Sequence, residues 1–318
     1  MDSTFVVGID VGGQTSKIGV VDARGTVLAQ TVIRTDTYEE VAPFIAELSE
    51  AVKKVIKEAG VEGSVRGIGV GAPNGNYYTG TIENAPNLRW GRCKVEFAKL
   101  LSEAMEGLPV ALTNDANAAA VGEMTYGAAR GMKNFIMITL GTGVGSGIVI
   151  NGEVVYGHDG FAGELGHTAA VRNNGRYCNC GKTGCLEAYC SAMGVARTAR
   201  EWLELSDEPS VLRNLDTIAS KDVYDAAKDG DKLALKIFEY TGKILGRSFA
   251  DFIAFSAPEA IVLFGGLARA KEFLLAPMEQ AMNENVLSLW KDKVKIVFSQ
   301  LKESDAAILG ASALAWEL

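Results

Sequence analysis

The chain has 318 residues, 48% of them hydrophobic and 22% charged, which is apolar side chain enough for two cores. No run approaches the ~20 apolar residues of a membrane helix, and the opening MDSTFVVGID has neither a basic stretch nor a cleavage site, so a cytoplasmic protein is expected. A formal net charge of -8 disfavours nucleic acid as a partner.

In chain order, residues 5–9 form a short apolar β run, and a glycine turn follows it. Residues 17–21 and 26–34, on either side of Asp-Ala-Arg-Gly, read as a hairpin. Between residues 38 and 59, Val41, Ile45, Leu48, Val52, Val55 and Ile56 recur at helical spacing, and Gly60 ends the segment. A strand at 65–70, a Gly/Pro/Asn-rich loop, a helix at 94–105 and a strand at 110–113 lead into the alanine-rich helix 115–129. This opening third is α/β.

From residue 134 the pattern repeats. Residues 5–22 and 134–151 align at a constant offset, which pairs Asp10 with Thr139, Gly12 with Gly141, and Asp22 with Asn151. The second hairpin, IVINGEVVYG, turns at Asn-Gly between alternating apolar runs. A duplicated unit implies a ligand cleft between the copies. Helices are expected at 187–205 and 231–255, the second with a break at Gly242 or Gly246. A strand at 260–264, a helix, a strand at 294–298 and a helix at 305–316 complete the chain.

Two glycine turns follow strands, DVGGQTSK at 10–17 and LGTGVGSG at 140–147. Such turns offer backbone N–H groups to phosphate oxygens. One alone is usually just a tight turn; two at equivalent positions of a repeat could grip one triphosphate. Asp10, at a strand end, could hold magnesium through water or simply cap its turn. His167, Cys178, Cys180 and Cys185 follow the order H-x10-C-x-C-x4-C. One imidazole and three thiolates match a closed tetrahedral zinc site, with Gly181 and Gly184 easing the bend between ligands. Cys93 and Cys190 are expected to be plain small residues, and His158 lacks such company.

These residues resemble the sugar kinases of the hexokinase, actin and Hsp70 superfamily, and in particular its ROK branch of bacterial glucokinases, over nearly the whole chain. The features that set this branch apart are C-x-C-G-x-x-G-C-x-E and G-E-x-G-H. The resemblance implies a two-domain actin-like ATPase of duplicated ribonuclease H-like α/β fold with an interdomain cleft. Its lobes would be residues 1–113 plus 305–318, and residues 114–304 with the zinc-binding loop.

The resemblance further implies that ATP and magnesium lie against Asp10, Gly12, Gly13, Thr15, Lys17, Gly141, Thr142 and Gly143, with Gly265 and Gly266 of IVLFGGLA making room for adenosine. In TNDANAAAVGE, Asp115 would take the proton from the attacking sugar hydroxyl, a service typically worth about 10² to 10⁴-fold. Asp115 could equally N-cap the helix that it opens. Gly71, Asn87, Asn114, Asp115, Glu164, His167 and Glu187 would contact the sugar, with D-glucose as the favoured acceptor. A homodimer is implied as well.

This chain departs from the family pattern at Gln14, where the first phosphate loop usually has threonine, and at Asn74, where the sugar loop usually has glycine. Asn74 tolerates left-handed geometry and could add a sugar contact. Alternative acceptors are N-acetylmannosamine, N-acetylglucosamine and fructose. A repressor or a silent sugar sensor is disfavoured: only nine residues precede Asp10, and the base and both glycine loops are present.

Overall fold

The computed structural model describes residues 4–318. Strands β1 (Phe5–Val11), β2 (Thr15–Asp22) and β3 (Val27–Arg34) form a meander. Helix α1 (Val41–Ala59) then leads to β4 (Val65–Gly71), which pairs in parallel with β1. Three short strands, β5 (Gly75–Asn76), β6 (Thr81–Glu83) and β7 (Lys94–Val95), make a separate small sheet that the sequence did not announce. Because β7 takes residues 94 and 95, helix α2 begins late, at Phe97–Ala104. Next come β8 (Val110–Thr113) and α3 (Asp115–Tyr126).

The second half opens with β9 (Phe135–Leu140), β10 (Val144–Ile150) and β11 (Glu153–Val154). The expected helix at 187–205 is divided into α4 (Glu187–Cys190) and α5 (Ala192–Leu205), because the Ser191 hydroxyl accepts the Gly194 N–H and caps a new start. Helices α6 (Ser220–Lys228) and α7 (Lys232–Ser256), β12 (Ala260–Phe264), α8 (Lys271–Asn285), β13 (Lys295–Phe298) and α9 (Glu303–Leu314) follow.

The duplication is visible in the strand order. One sheet runs β3-β2-β1-β4-β8 and the other β11-β10-β9-β12-β13, each an antiparallel meander continued by two parallel strands. Asn151 (φ 56°) and Gly152 (φ 86°) form the left-handed turn pair of the second hairpin. Each sheet carries its own core: Phe44, Leu48 and Val52 of α1 pack on the first sheet, and Phe238, Leu245 and Phe249 of α7 on the second.

Helix α9 returns to the first sheet, where Gly8 and Gly69 let it lie almost on the strands. A Cβ on Gly69 would come within 1.8 Å of the Ala311 carbonyl oxygen. Helices α3 and α9 also cross closely, at Gly122 and Gly310, where a Cβ on Gly122 would lie 2.7 Å from the Gly310 Cα. Helix α7 runs unbroken, contrary to the expected interruption. Gly242 and Gly246 serve contact with α8 instead: a Cβ at Gly246 would lie 2.3 Å from the Met278 carbonyl oxygen.

Candidate active site

The strand register builds the site. Asp10 on β1 stands beside Gly71 on β4, and Gly71 beside Thr113 on β8, so the carboxyl ends of three parallel strands finish in one row. That edge is where α/β sheets present ligands. The chain then turns into α3 through Asn114 and Asp115. The Asn114 side chain accepts the Asn117 N–H at 2.6 Å and is the cap of α3, so Asp115 is not needed for that task. Asp115 instead accepts the N–H of Ala116 at 2.9 Å.

In the second half Thr139 is paired with Phe264 at the equivalent edge of the other sheet. Asp10, Gly71, Asp115, Thr139 and Phe264 together line one cavity of about 220 Å³ between the sheets. The residues aligned by the repeat, Asp10 and Thr139, thus face each other's space. Glu123, two helical turns beyond Asp115 on α3, also lines the cavity, is fully buried, and accepts the Ala128 N–H at Oε2. Its i+8 spacing puts it on the same face of α3 as Asp115.

Burial dominates the electrostatics. It raises the Asp10 carboxyl from the usual 3.8 to about 6, with the Asp115 charge adding to the effect and Lys17, its cross-strand neighbour, opposing it. Asp115 is also pushed up by burial, against its hydrogen bond from the Ala116 N–H. Glu164 is raised by desolvation and by the charges of Asp115 and Glu187, while His167 pulls it down. Asp115, Glu164, His167 and Glu187 therefore share one electrostatic neighbourhood. A carboxylate held above its ordinary pKa is a better proton acceptor than one in water.

A second cavity, of about 400 Å³, is lined by Asn87, Thr142, Gly143, Glu187 and Cys178, along with Arg197 and Arg200 of α5. The two arginines had no motif to mark them. The N–H groups of Gly13 and Gln14 in the first glycine loop, and of Thr142 and Gly143 in the second, have no acceptor among the described residues. Free amides on two glycine loops suit phosphate oxygens. The glycines differ in purpose. Gly141 and Gly266 face open space, whereas a Cβ on Gly265, at φ 106°, would meet the Leu140 carbonyl oxygen at 2.5 Å. Gly265 lines a third cavity, of about 280 Å³, with Ala268, Lys271 and Phe298. In the first loop the Gly12 N–H donates to the Thr15 carbonyl, which closes the turn at that end.

Asn74 does adopt left-handed geometry, at φ 51°, but its Nδ2 donates to the carbonyls of Glu83 and Asn84. That amide group ties its own loop together. Tyr77, three residues on, stacks on Tyr156 at 4.0 Å, and the Tyr78 hydroxyl donates to the Gly157 carbonyl. These contacts join the 74–80 loop to the segment after β11.

Ligand atoms of His167, Cys178, Cys180 and Cys185 all lie within 4.8 Å of one another. Cys178 Sγ is 3.9 Å from His167 Nδ1, and Cys180 Sγ is 3.6 Å from Cys185 Sγ. A tetrahedral zinc with Zn–S near 2.3 Å would place sulfurs about 3.8 Å apart, so the donor set and its spacing fit that ion. Gly181 (φ 90°) and Gly184 (φ 78°) make the bends between ligands, and the Arg176 guanidinium, bonded to Glu201 and stacked over Tyr189, pins the loop to α5. Cys190 is buried in the core beneath.

Two equivalent sheets, a cavity between them and the Asp10 carboxylate toward the end of β1 define an α/β protein of the actin-like ATPase class. The chain matches the ROK family over residues 6–317 and belongs to that family. It is 36% identical over 315 residues to a glucokinase of Halalkalibacterium halodurans, covering 98% of this chain and 94% of that one. A ROK family glucokinase from Streptomyces griseus, solved with glucose and AMPPNP, superposes with a TM-score of 0.79 at 30% identity, covering 99% of this chain and all of that one. A ROK family transcriptional regulator, a homologue of the E. coli MLC protein, superposes with a TM-score of 0.88 at 27% identity, covering 99% of this chain and 78% of that one. The family thus contains both kinases and regulators, and the glucokinase relatives support a sugar kinase here. Among the described residues no helix is long and apolar enough to cross a membrane.

Proposed function

We propose that this chain is an ATP-dependent hexokinase that transfers the γ-phosphoryl group of ATP to O6 of D-glucose. The observation that carries the reading is the cavity that Asp10 and Asp115 share, together with two glycine loops at equivalent strand ends whose amides are free. The sugar would lie among Asn87, Asn114, Glu164, His167 and Glu187, with its reacting hydroxyl toward Asp115 and Gly71 at the back. Asp115 Oδ accepts the proton of that hydroxyl as its oxygen bonds to the γ-phosphorus; the bond from that phosphorus to the bridging oxygen breaks, and ADP leaves with the electron pair.

The glycine loops at Gly12, Gly13, Thr15, Gly141, Thr142 and Gly143 would hold the triphosphate, with Lys17 adding charge and Gly265 and Gly266 bordering the adenosine. Magnesium, held near Asp10, would neutralise phosphate charge. His167, Cys178, Cys180 and Cys185 would hold a zinc that fixes the loop bearing Glu187. In this reading the moving bodies are residues 1–113 plus 305–318 against residues 114–304, and their closure excludes water. The enzyme would act in the cytoplasm as a homodimer.

Glucose is favoured by the glucokinase relatives; the polar set itself would discriminate strongly against an inverted or missing hydroxyl. A panel of hexoses assayed with MgATP tests the assignment. The highest kcat/KM is expected for glucose, less for mannose and glucosamine, and little for galactose. Faster turnover of N-acetylmannosamine, N-acetylglucosamine or fructose would change the substrate but keep the kinase. Sugar binding with no ATP turnover would replace the kinase with a sensor like the family's regulators.

A further inference from the structure

The second glycine loop is not shaped by its glycines alone. Its N-terminal end is held where the Ala192 N–H donates to the Gly141 carbonyl at 2.8 Å. At its other end the Val144 N–H donates at 3.0 Å to Oε2 of Glu187. Ala192 and Glu187 belong to one short stretch, α4 and the start of α5, which thus forms a shelf under residues 141–144. The carboxylate reaches the loop only because residue 143 has no side chain: a Cβ on Gly143 would sit 2.4 Å from Glu187 Oε2. Gly141 makes no such contact and faces open space. The bond from the Val144 N–H fixes the end of the loop next to the two residues whose own N–H groups stay free, Thr142 and Gly143.

We infer that Glu187 is a positioning residue for nucleotide binding: its carboxylate holds the second glycine loop in the shape that receives phosphate, independently of any sugar. The inference rests on the kinase reading, in which that loop meets the triphosphate. It separates two duties of one side chain. A residue that only touched sugar would leave nucleotide affinity unchanged when no sugar is present. Gly143, in turn, is a glycine because of Glu187 and not only because of phosphate.

The test is MgADP affinity of the full chain by calorimetry without sugar, with zinc content measured alongside on each variant. Glu187→Ala should weaken MgADP about tenfold, whereas Glu187→Gln, whose amide oxygen can accept the same N–H, should stay within about twofold of the unmodified protein. Gly143→Ala should also weaken MgADP by pushing the carboxylate away, with the zinc content showing whether the contact of Glu187 Oε1 with Cys178 Sγ, at 3.7 Å, carries the change to the cysteines. Combined with Glu187→Ala it should add little, because the new Cβ then meets nothing. Wild-type affinity in Glu187→Ala, or penalties that simply add in the double variant, would overturn the inference. Failure of the unmodified protein to bind MgADP would instead overturn the kinase reading beneath it.

Discussion

Asp10 and Asp115 sit at the ends of chain segments two strands apart, yet both open into a single cavity, and the charge of Asp115 helps hold the Asp10 carboxyl up to about 6. Gly71 lies between their strands, where a side chain would press on Ala118. The pair is therefore coupled by geometry that neither residue's immediate sequence contains.

Replacing Asp115 with Asn tests the base. The substitution keeps the shape of the side chain and leaves the α3 cap on Asn114 intact, so fold and sugar affinity should persist. The rate of phosphoryl transfer should fall by about 10²-fold or more. Initial rates on folded protein decide it, and a wild-type rate would remove Asp115 from the mechanism. Burial disfavours the Asp115 carboxylate, so the melting temperature at neutral pH should rise.

The Asp10 shift predicts a pH signature in the metal-free protein. Its folded pKa of about 6 lies above the usual 3.8, so its contribution to stability is complete below 3.8 and is lost as pH rises through about 6. That gap corresponds to about 3 kcal/mol of cost to the ionised form. Thermal melts of Asp10→Asn against the unmodified chain should show a gain at pH 8 that shrinks by pH 5. An equal gain at both values would mean that Asp10 is not perturbed.

Elemental analysis should find one zinc per chain, lost in Cys185→Ser. Without it the 176–187 loop loses its cross-link and Glu187 its support, so the sugar KM should rise and the melting temperature fall. Active, unchelated protein free of metal would exclude the site.

The two glycines of α7 give a packing test free of chemistry. Gly246→Ala places a methyl 2.3 Å from the Met278 carbonyl oxygen and 2.8 Å from the Met282 nitrogen, both backbone atoms that cannot swing aside. A loss of about 1 to 3 kcal/mol is expected, read by denaturant unfolding. No loss would show that α7 and α8 are free to separate.

Gly265 and Gly266 should behave oppositely. Gly265→Ala would clash with the Leu140 backbone in a left-handed conformation and lower stability. Gly266→Ala meets open space, so stability should hold while the KM for ATP rises if the nucleotide passes there. An unchanged KM would place the adenosine elsewhere.

The sequence by itself determined the elements with strong periodicity, α1 and the two hairpins, and the duplication, because apolar alternation and Asn-Gly turns act over a few neighbours. The grouping of His167 with Cys178, Cys180 and Cys185 was legible for the same reason: residue type and spacing are local. What those patterns could not contain was where glycines earn their place. Gly242 and Gly246 read as helix breakers, and only the docking of α8 shows them as contact points in an unbroken α7. The division of labour at α3 was likewise hidden, since Asn114 and Asp115 are both plausible caps until the chain's path assigns the bond. Asn74 and Glu123 were decided by partners 9 residues along in one case and by a cavity in the other. The cavity exists only when two sheets and the α3–α9 crossing meet, because burial and unsatisfied polar atoms are properties of packed surfaces and of no single segment.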